Sequence, residues 1–129
     1  MAAKRARQTG QKVAHPSRGD IFLVNFDPTV GSEIRKTRPA LVIQNDIANQ
    51  YSPITIVAAI SSKFGDPPYP TEVVMEPDAS GLALKSAALL NQIRSVDRQR
   101  LIKRIGQADA ETMQRVDQAI LISLGLIHI

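Results

Sequence analysis

Two stretches of this chain are apolar at nearly every position, and they constrain its fold more than any other feature. Residues 40–44 read ALVIQ and residues 54–60 read ITIVAAI. Both are rich in β-branched side chains, whose stiff χ1 suits a pleated strand. A strand with one wet face alternates polar and apolar residues, whereas a continuous apolar run predicts a strand buried on both faces. The chain must therefore cover a central sheet on two sides. A third run at 21–26, IFLVNF, predicts the strand that precedes them.

Between the first and second runs lies DPTVGSEIRKTRP, a loop by its Pro, Gly and charge content. Asp27, Glu33, Arg35, Lys36 and Arg38 fall within twelve positions of it. Pro39 biases Arg38 towards an extended conformation. Arg38 is thus expected at the loop's end, entering the second strand, where rigid backbone can aim an always-protonated guanidinium at a phosphate.

Further along, residues 46–52 allow one helical turn, stopped by Pro53. Residues 61–70 hold Gly65, Pro67, Pro68 and Pro70 and predict a second exposed loop. A strand at 71–75 and a turn at 77–81 follow. Residues 86–96 begin SAALL and then alternate as NQIRSV, a strand whose second half keeps one face available for function. Asp97 can cap a short helix over 97–101, and 101–106 predicts a last strand. From Asp109 the period changes. Met113, Val116, Ile120 and Leu124 form a helical stripe, widened by Ala119 and Leu121, with Asp109 as N-cap and Gly125 as terminator. Short strands, turn-rich loops and one late helix predict a mainly β domain, a small, strongly bent antiparallel barrel with a C-terminal α-helix.

At 129 residues the chain suits one domain, read as a basic disordered tail at 1–17 and a folded unit at 18–129. Five of the 16 basic residues and no acid lie in 1–18, so the rest carries 11 bases against 12 acids. The positive charge belongs to the tail, and any nucleic-acid surface must rest on local clusters in the body. There is no cysteine, which removes disulfides, thiolate metal sites and a Cys nucleophile and fits a cytoplasmic protein. No run is long enough to span a membrane, and the basic N-terminus lacks an apolar signal core.

The chemistry available is narrow. His15 lies in the tail and His128 is the penultimate residue, so paired-imidazole catalysis has no support. There is no HExxH, P-loop or close His/Asp cluster, and no metal site or cofactor is expected. Arg, hydroxyl and amide groups remain. Arg38 can stabilise charge on a phosphoryl group, or be a surface arginine paired with Glu33 or Asp46. Ser61, where the apolar run leaves the core, can bond a phosphate or simply cap a turn. Arg35 and Lys36 can hold phosphates and Glu33 can read base edges, or the segment is a solvated charged loop. Phe64 and Tyr69, two of only five aromatics, can stack on bases or cover the barrel end. Gln92 and Arg94 are same-face neighbours on a strand, serving either a ligand or a subunit contact. Arg98, Arg100, Lys103 and Arg104 read as a solvated helix and strand end.

The ordered series RGDIFLVNFDPTVGSEIRKTRPALVIQND, ITIVAAIS and LNQIRSV, with the final apolar helix, resembles the MazF/PemK family of toxin endoribonucleases over roughly residues 18–126. That resemblance implies an SH3-like barrel shared with the gyrase poison CcdB. It implies metal-independent cleavage of single-stranded RNA by 2′-OH attack, leaving a 2′,3′-cyclic phosphate and a 5′-OH. Arg38 falls on the family's catalytic arginine. Ser61 falls where the family typically has Thr, keeping the hydroxyl but losing a methyl that restricts rotamers. It places Gln92 near the RNA groove; the positions of Glu33, Arg35, Lys36, Phe64 and Arg94, read from the residues themselves, make them the further RNA contacts expected. A cytoplasmic homodimer and a separately encoded MazE-like antitoxin with an acidic, disordered tail are implied as well. The rivals are a CcdB-like inhibitor of DNA gyrase and an RNA-binding barrel that does not cut.

Overall fold

The computed structural model describes residues 15–34, 36–78 and 80–128. Eight elements follow in order: β1 (Asp20–Asn25), β2 (Thr37–Val42), α1 (Asp46–Tyr51), β3 (Ile54–Ser61), β4 (Glu72–Met75), β5 (Ser86–Asp97), β6 (Leu101–Gln107) and α2 (Ala110–Ser123). A single 3-10 turn, Arg98–Arg100, joins β5 to β6. The strands form one sheet in the order β4-β5-β3-β2-β1-β6, antiparallel at every pairing.

The two apolar runs are the middle of this sheet, as their composition requires. Leu41, Ala58 and Ile60 join a core cluster with Val116 and Ala119 of α2. Ala40, Val42, Val57 and Ala59 belong to a second cluster with Phe22, Val24, Phe26 and Val96. Alternation along each strand sends successive residues to opposite clusters, so both faces are dry. One helix can cover only one face; the other is covered by the sheet's own curl. Register shifts supply the bend. Ala58 lies opposite Ile93 but Ala59 opposite Leu89, so residues 90–92 of β5 bulge out of the ladder. β1 and β6 slip twice more.

The sheet does not close by hydrogen bonds, a departure from a complete barrel. Its gap is bridged instead by the β4–β5 connection, which crosses β6 backbone to backbone. A Cβ on Gly81 would lie 1.9 Å from the carbonyl oxygen of Ile105, and one on Gly106 1.8 Å from that of Ser80. Only glycine fits either position.

Both expected helix caps form. Asp109 accepts the Thr112 amide at 2.8 Å, and Asp97 accepts that of Gln99 at 2.8 Å. Gly125 (φ +76°) ends α2, with Gly125 N–H bonding Ile122 O and Leu126 N–H bonding Leu121 O. The predicted stripe overreached: Leu124 lies beyond the last helical turn and is 61 % exposed, while Thr112 takes a buried place. Residues 1–14 of the expected tail lie outside the described residues. Pro16 and Ser17 are buried, and the Ser17 amide donates to Asp20 Oδ2 at 2.8 Å. Among the described residues no helix is long and apolar enough to cross a membrane.

Candidate active site

Ala40, Leu41 and Val42 of β2 lie opposite Ala59, Ala58 and Val57 of β3. Continued two positions, that register sets Arg38 across from Ser61. On its other side Arg38 is paired with Val24 of β1. Alternation puts Arg38 and Ser61 on the face of Val24, Ala40 and Ala59, the one the sheet curls around. Pro39 stands between them and the ladder. It cannot donate to β3, and the β2–β3 pairing begins only at Ala40. Beyond Ala40 and Ala59 the β2–β3 pairing ends and leaves a notch, with Arg38 on the β2 side and Ser61 on the β3 side. Arg38 is exposed and Ser61 half-buried. Ser61 Oγ accepts the Lys63 amide at 3.0 Å, the turn-capping bond, and this leaves its own hydrogen to donate.

The loop between β1 and β2 is tied at its base, tip and flank. At the base Phe26 N–H bonds Lys36 O at 2.9 Å, Lys36 N–H bonds Asp27 Oδ1 at 3.0 Å, and Asp27 N–H bonds Asn25 Oδ1 at 3.1 Å. Lys36 adopts a left-handed conformation, φ +64°, that turns the chain into β2. At the tip Glu33 Oε1 accepts the Val30 amide at 2.7 Å, so this carboxylate caps its own turn. On the flank Ile34 N–H donates to Gln92 Oε1 at 2.9 Å. Arg35 lies outside the described residues.

Between this loop and the bulged part of β5 opens a pocket of about 430 Å³, lined by Phe26, Ser32, Glu33, Ile34, Asn91, Gln92, Ile93 and Arg94. The bulge is what turns both Asn91 and Gln92 towards it. Arg94 lies opposite Val57 and so on the curled face. Its Nη1 donates to Phe26 O at 2.6 Å, and the guanidinium stands 5.8 Å from the Phe26 ring centre. Three of the eight expected site residues, Glu33, Gln92 and Arg94, line this concavity; Lys36 closes the loop that walls it.

Phe64 goes elsewhere. It is half-buried in a larger groove of about 910 Å³ formed with β4 and the start of α2, where Arg115 and Glu111 also stand. Tyr69 is exposed, its amide donating to Glu72 Oε1 at 2.8 Å. In the basic cluster at 98–104 Lys103 is exposed, as expected, but the three arginines are more than a solvated end. Arg98 Nη1 donates to Ser52 O at 3.2 Å, Arg100 Nη1 donates to Asn25 O at 2.9 Å and to Asp27 O, and Arg104 Nε pairs with buried Asp20 at 3.0 Å. These arginines hold backbone and core; no sequence signal marks a carbonyl as the partner of a guanidinium. Among the described residues no group of three or more acids and imidazoles converges to hold a metal.

Residues 17–124 match the model of the family described as PemK-like, MazF-like toxin of type II toxin–antitoxin systems. Endoribonuclease EndoA of Bacillus subtilis (strain 168) is 46 % identical over 110 residues, 85 % of this chain and 95 % of that protein. Among solved structures, MazF from Deinococcus radiodurans superposes with a TM-score of 0.74 at 26 % identity, covering 86 % of this chain and 97 % of that one. A MazE–MazF structure from the same organism gives 0.69 at 27 % identity, covering 87 % and 97 %. The chain belongs to the PemK-like, MazF-like toxins of type II toxin–antitoxin systems.

Proposed function

We propose that this chain, an endoribonuclease toxin of the MazF/PemK type, cuts single-stranded RNA at the notch where Arg38 and Ser61 stand across from each other. RNA carries its own nucleophile. Held in line, the 2′-OH attacks the adjacent phosphorus, the bond to the 5′ oxygen breaks, and a 2′,3′-cyclic phosphate and a 5′-OH remain. The protein need only orient the strand and stabilise charge. Arg38 neutralises the non-bridging oxygens and hydrogen-bonds the departing 5′ oxygen, while the proton released by the 2′-OH passes to solvent and the 5′ oxygen takes one back from it. Ser61 donates its hydroxyl hydrogen to the scissile phosphate. No metal takes part in this scheme.

The reading is carried by the β2–β3 register: continued two positions beyond Ala40 and Ala59, it sets Arg38 across from Ser61 at an open strand end. The pocket between the β1–β2 loop and β5 supports a single-stranded substrate, because a base must leave its stack to enter. Glu33, Arg35, Lys36, Gln92 and Arg94 provide its contacts; Phe64, in the other groove, touches at most the strand further along. RNA lies across a homodimer in the cytoplasm. A MazE-like antitoxin inhibits by laying an acidic segment over Lys36 and Arg38, competing with phosphates for the same charges.

The test is digestion of a long single-stranded RNA in excess EDTA by the wild type and by R38A, with matched folding controls. Discrete fragments with cyclic-phosphate ends, absent with R38A, are expected. Intact RNA after treatment with folded wild type overturns the scheme and sends the work to gyrase binding. Equal cutting by both proteins removes Arg38 from the chemistry.

A further inference from the structure

An eleven-residue loop with Pro and Gly does not hold a fixed shape by itself, yet a pocket wall that selects a base must. In this chain the loop's departure from β1 is clamped. Three consecutive carbonyls, Asn25, Phe26 and Asp27, each accept from a guanidinium. Arg94 takes the middle one and also lines the pocket. Arg100 takes the first and third through one Nη1, and it does not line the pocket.

Arg100 is presented from a rigid seat. Its 3-10 turn is capped by Asp97. The turn is pinned to the start of β3 by Arg98 N–H on Pro53 O at 2.9 Å and by the Arg98 side chain on Ser52 O. The clamp passes onward, because Phe26 and Asp27 bond Lys36 directly and so fix the loop's returning limb. Arg38 and Ser61 are held independently, by the strands themselves.

We infer that Arg100 is a positioning residue for RNA sequence selection: it sets the loop that walls the base pocket without touching substrate. The inference rests on the pocket being the base-reading site, as proposed above. Removing Arg100 then spares the chemistry and blurs the choice of site.

The test is R100Q, with R100K as the conservative variant. Initial rates are measured on short RNAs carrying the preferred site and its single-base changes. Amide hydrogen exchange is followed without RNA. The expected result is faster exchange at Ile34 and Lys36 and discrimination lowered by about tenfold, the worth of one charge-assisted hydrogen bond. KM on the preferred site should rise while kcat is little changed, and R100K should recover part of the discrimination. Unchanged exchange overturns the clamp. Faster exchange with unchanged discrimination overturns its role in selection. A fall in kcat as deep as that of R38A, in a folded protein, also overturns it. Failure of the catalytic reading looks different: R38A then cuts like wild type, whatever Arg100 does to exchange.

Discussion

Replacing Gly106 with alanine tests how the open sheet is held shut. A methyl there would lie 1.8 Å from the Ser80 carbonyl oxygen, 2.5 Å from its carbon and 3.0 Å from the Gly81 Cα. Comfortable carbon contacts need about 3.5 Å, so the crossing must open by more than about 1 Å. Neither side is a flexible side chain that can swing aside. Overpacking of this kind costs about 1–3 kcal/mol, and backbone against backbone belongs at the upper end. For a domain of this size about 3 kcal/mol lowers Tm by roughly 12 °C. G81A makes the same clash from the other side, 1.9 Å from Ile105 O, and adds a left-handed φ of +83°. The strain of that φ costs an alanine about 1–2 kcal/mol more. The double variant must cost less than the sum, since an opened crossing accommodates both methyls. Thermal unfolding followed by circular dichroism measures all three proteins. A G106A variant melting within a couple of degrees of wild type refutes the reasoning, as does strict additivity. Cleavage well below the transition should persist, because Arg38 and Ser61 stand on other strands.

Other expectations follow from the site and the caps. R38K keeps the charge but loses the planar fork, and kcat should fall by about a hundredfold with KM nearly constant; an unchanged kcat would reduce Arg38 to a point charge. S61T restores a methyl that limits χ1, so kcat should rise by about threefold, the statistical worth of removing two of three rotamers; a fall would mean the notch lacks room for it. The Thr112 amide holds the Asp109 carboxyl below its ordinary value of 3.8, aided by Arg115. A depressed folded pKa means that this stabilisation is present above pH 3.8 and disappears as acid protonates the folded form. D109N keeps the cap but cannot titrate, so the wild type's Tm advantage over it should shrink below that pH; a constant gap removes the charge from the account. Lys36, Arg38, Arg94 and Arg35 from the two protomers are at most eight cations on the RNA path, so log KM should vary with log salt by a slope of about 6 or less. Deleting residues 1–14 should leave that slope unchanged, and a marked drop would make the tail an RNA arm.

Much of the fold was legible because burial on two faces leaves a mark that burial on one does not. The runs at 40–44 and 54–60 pointed to central strands, and these are β2 and β3, although β2 starts at Thr37 and ends at Val42, leaving Ile43 and Gln44 beyond it. The caps at Asp97 and Asp109 were legible because an N-cap depends on neighbours within a few residues. What stayed hidden depends on partners far along the chain. The bulge at residues 90–92 interrupts AALLNQ, which reads as unbroken strand, because the bend is demanded by the partner strand. Gly81 announced a turn and Gly106 nothing at all; their need for each other exists only where two backbones cross. Arg100 and Arg104 read as surface charge because the groups they hold, a carbonyl row and a buried Asp20, carry no pattern. Phe64 was expected to face RNA from its place in a Pro-rich loop, but composition says nothing of which way such a loop folds back.

The same division separates the parts of the site. The groups proposed for bond breaking lie on paired strands, where a register between neighbours fixes their distance and a change of one residue would move both to the opposite face. The groups proposed for choosing a base lie on a loop, where length and sequence can vary without disturbing β2 or β3. Such a loop needs an anchor that does not depend on its own sequence. Bonds to main-chain carbonyls supply one, because every residue at 25–27 offers the same oxygen to Arg94 and Arg100. On this proposal the cutting edge and the reader are joined at backbone, so that a change in what is read would leave the cut as it is.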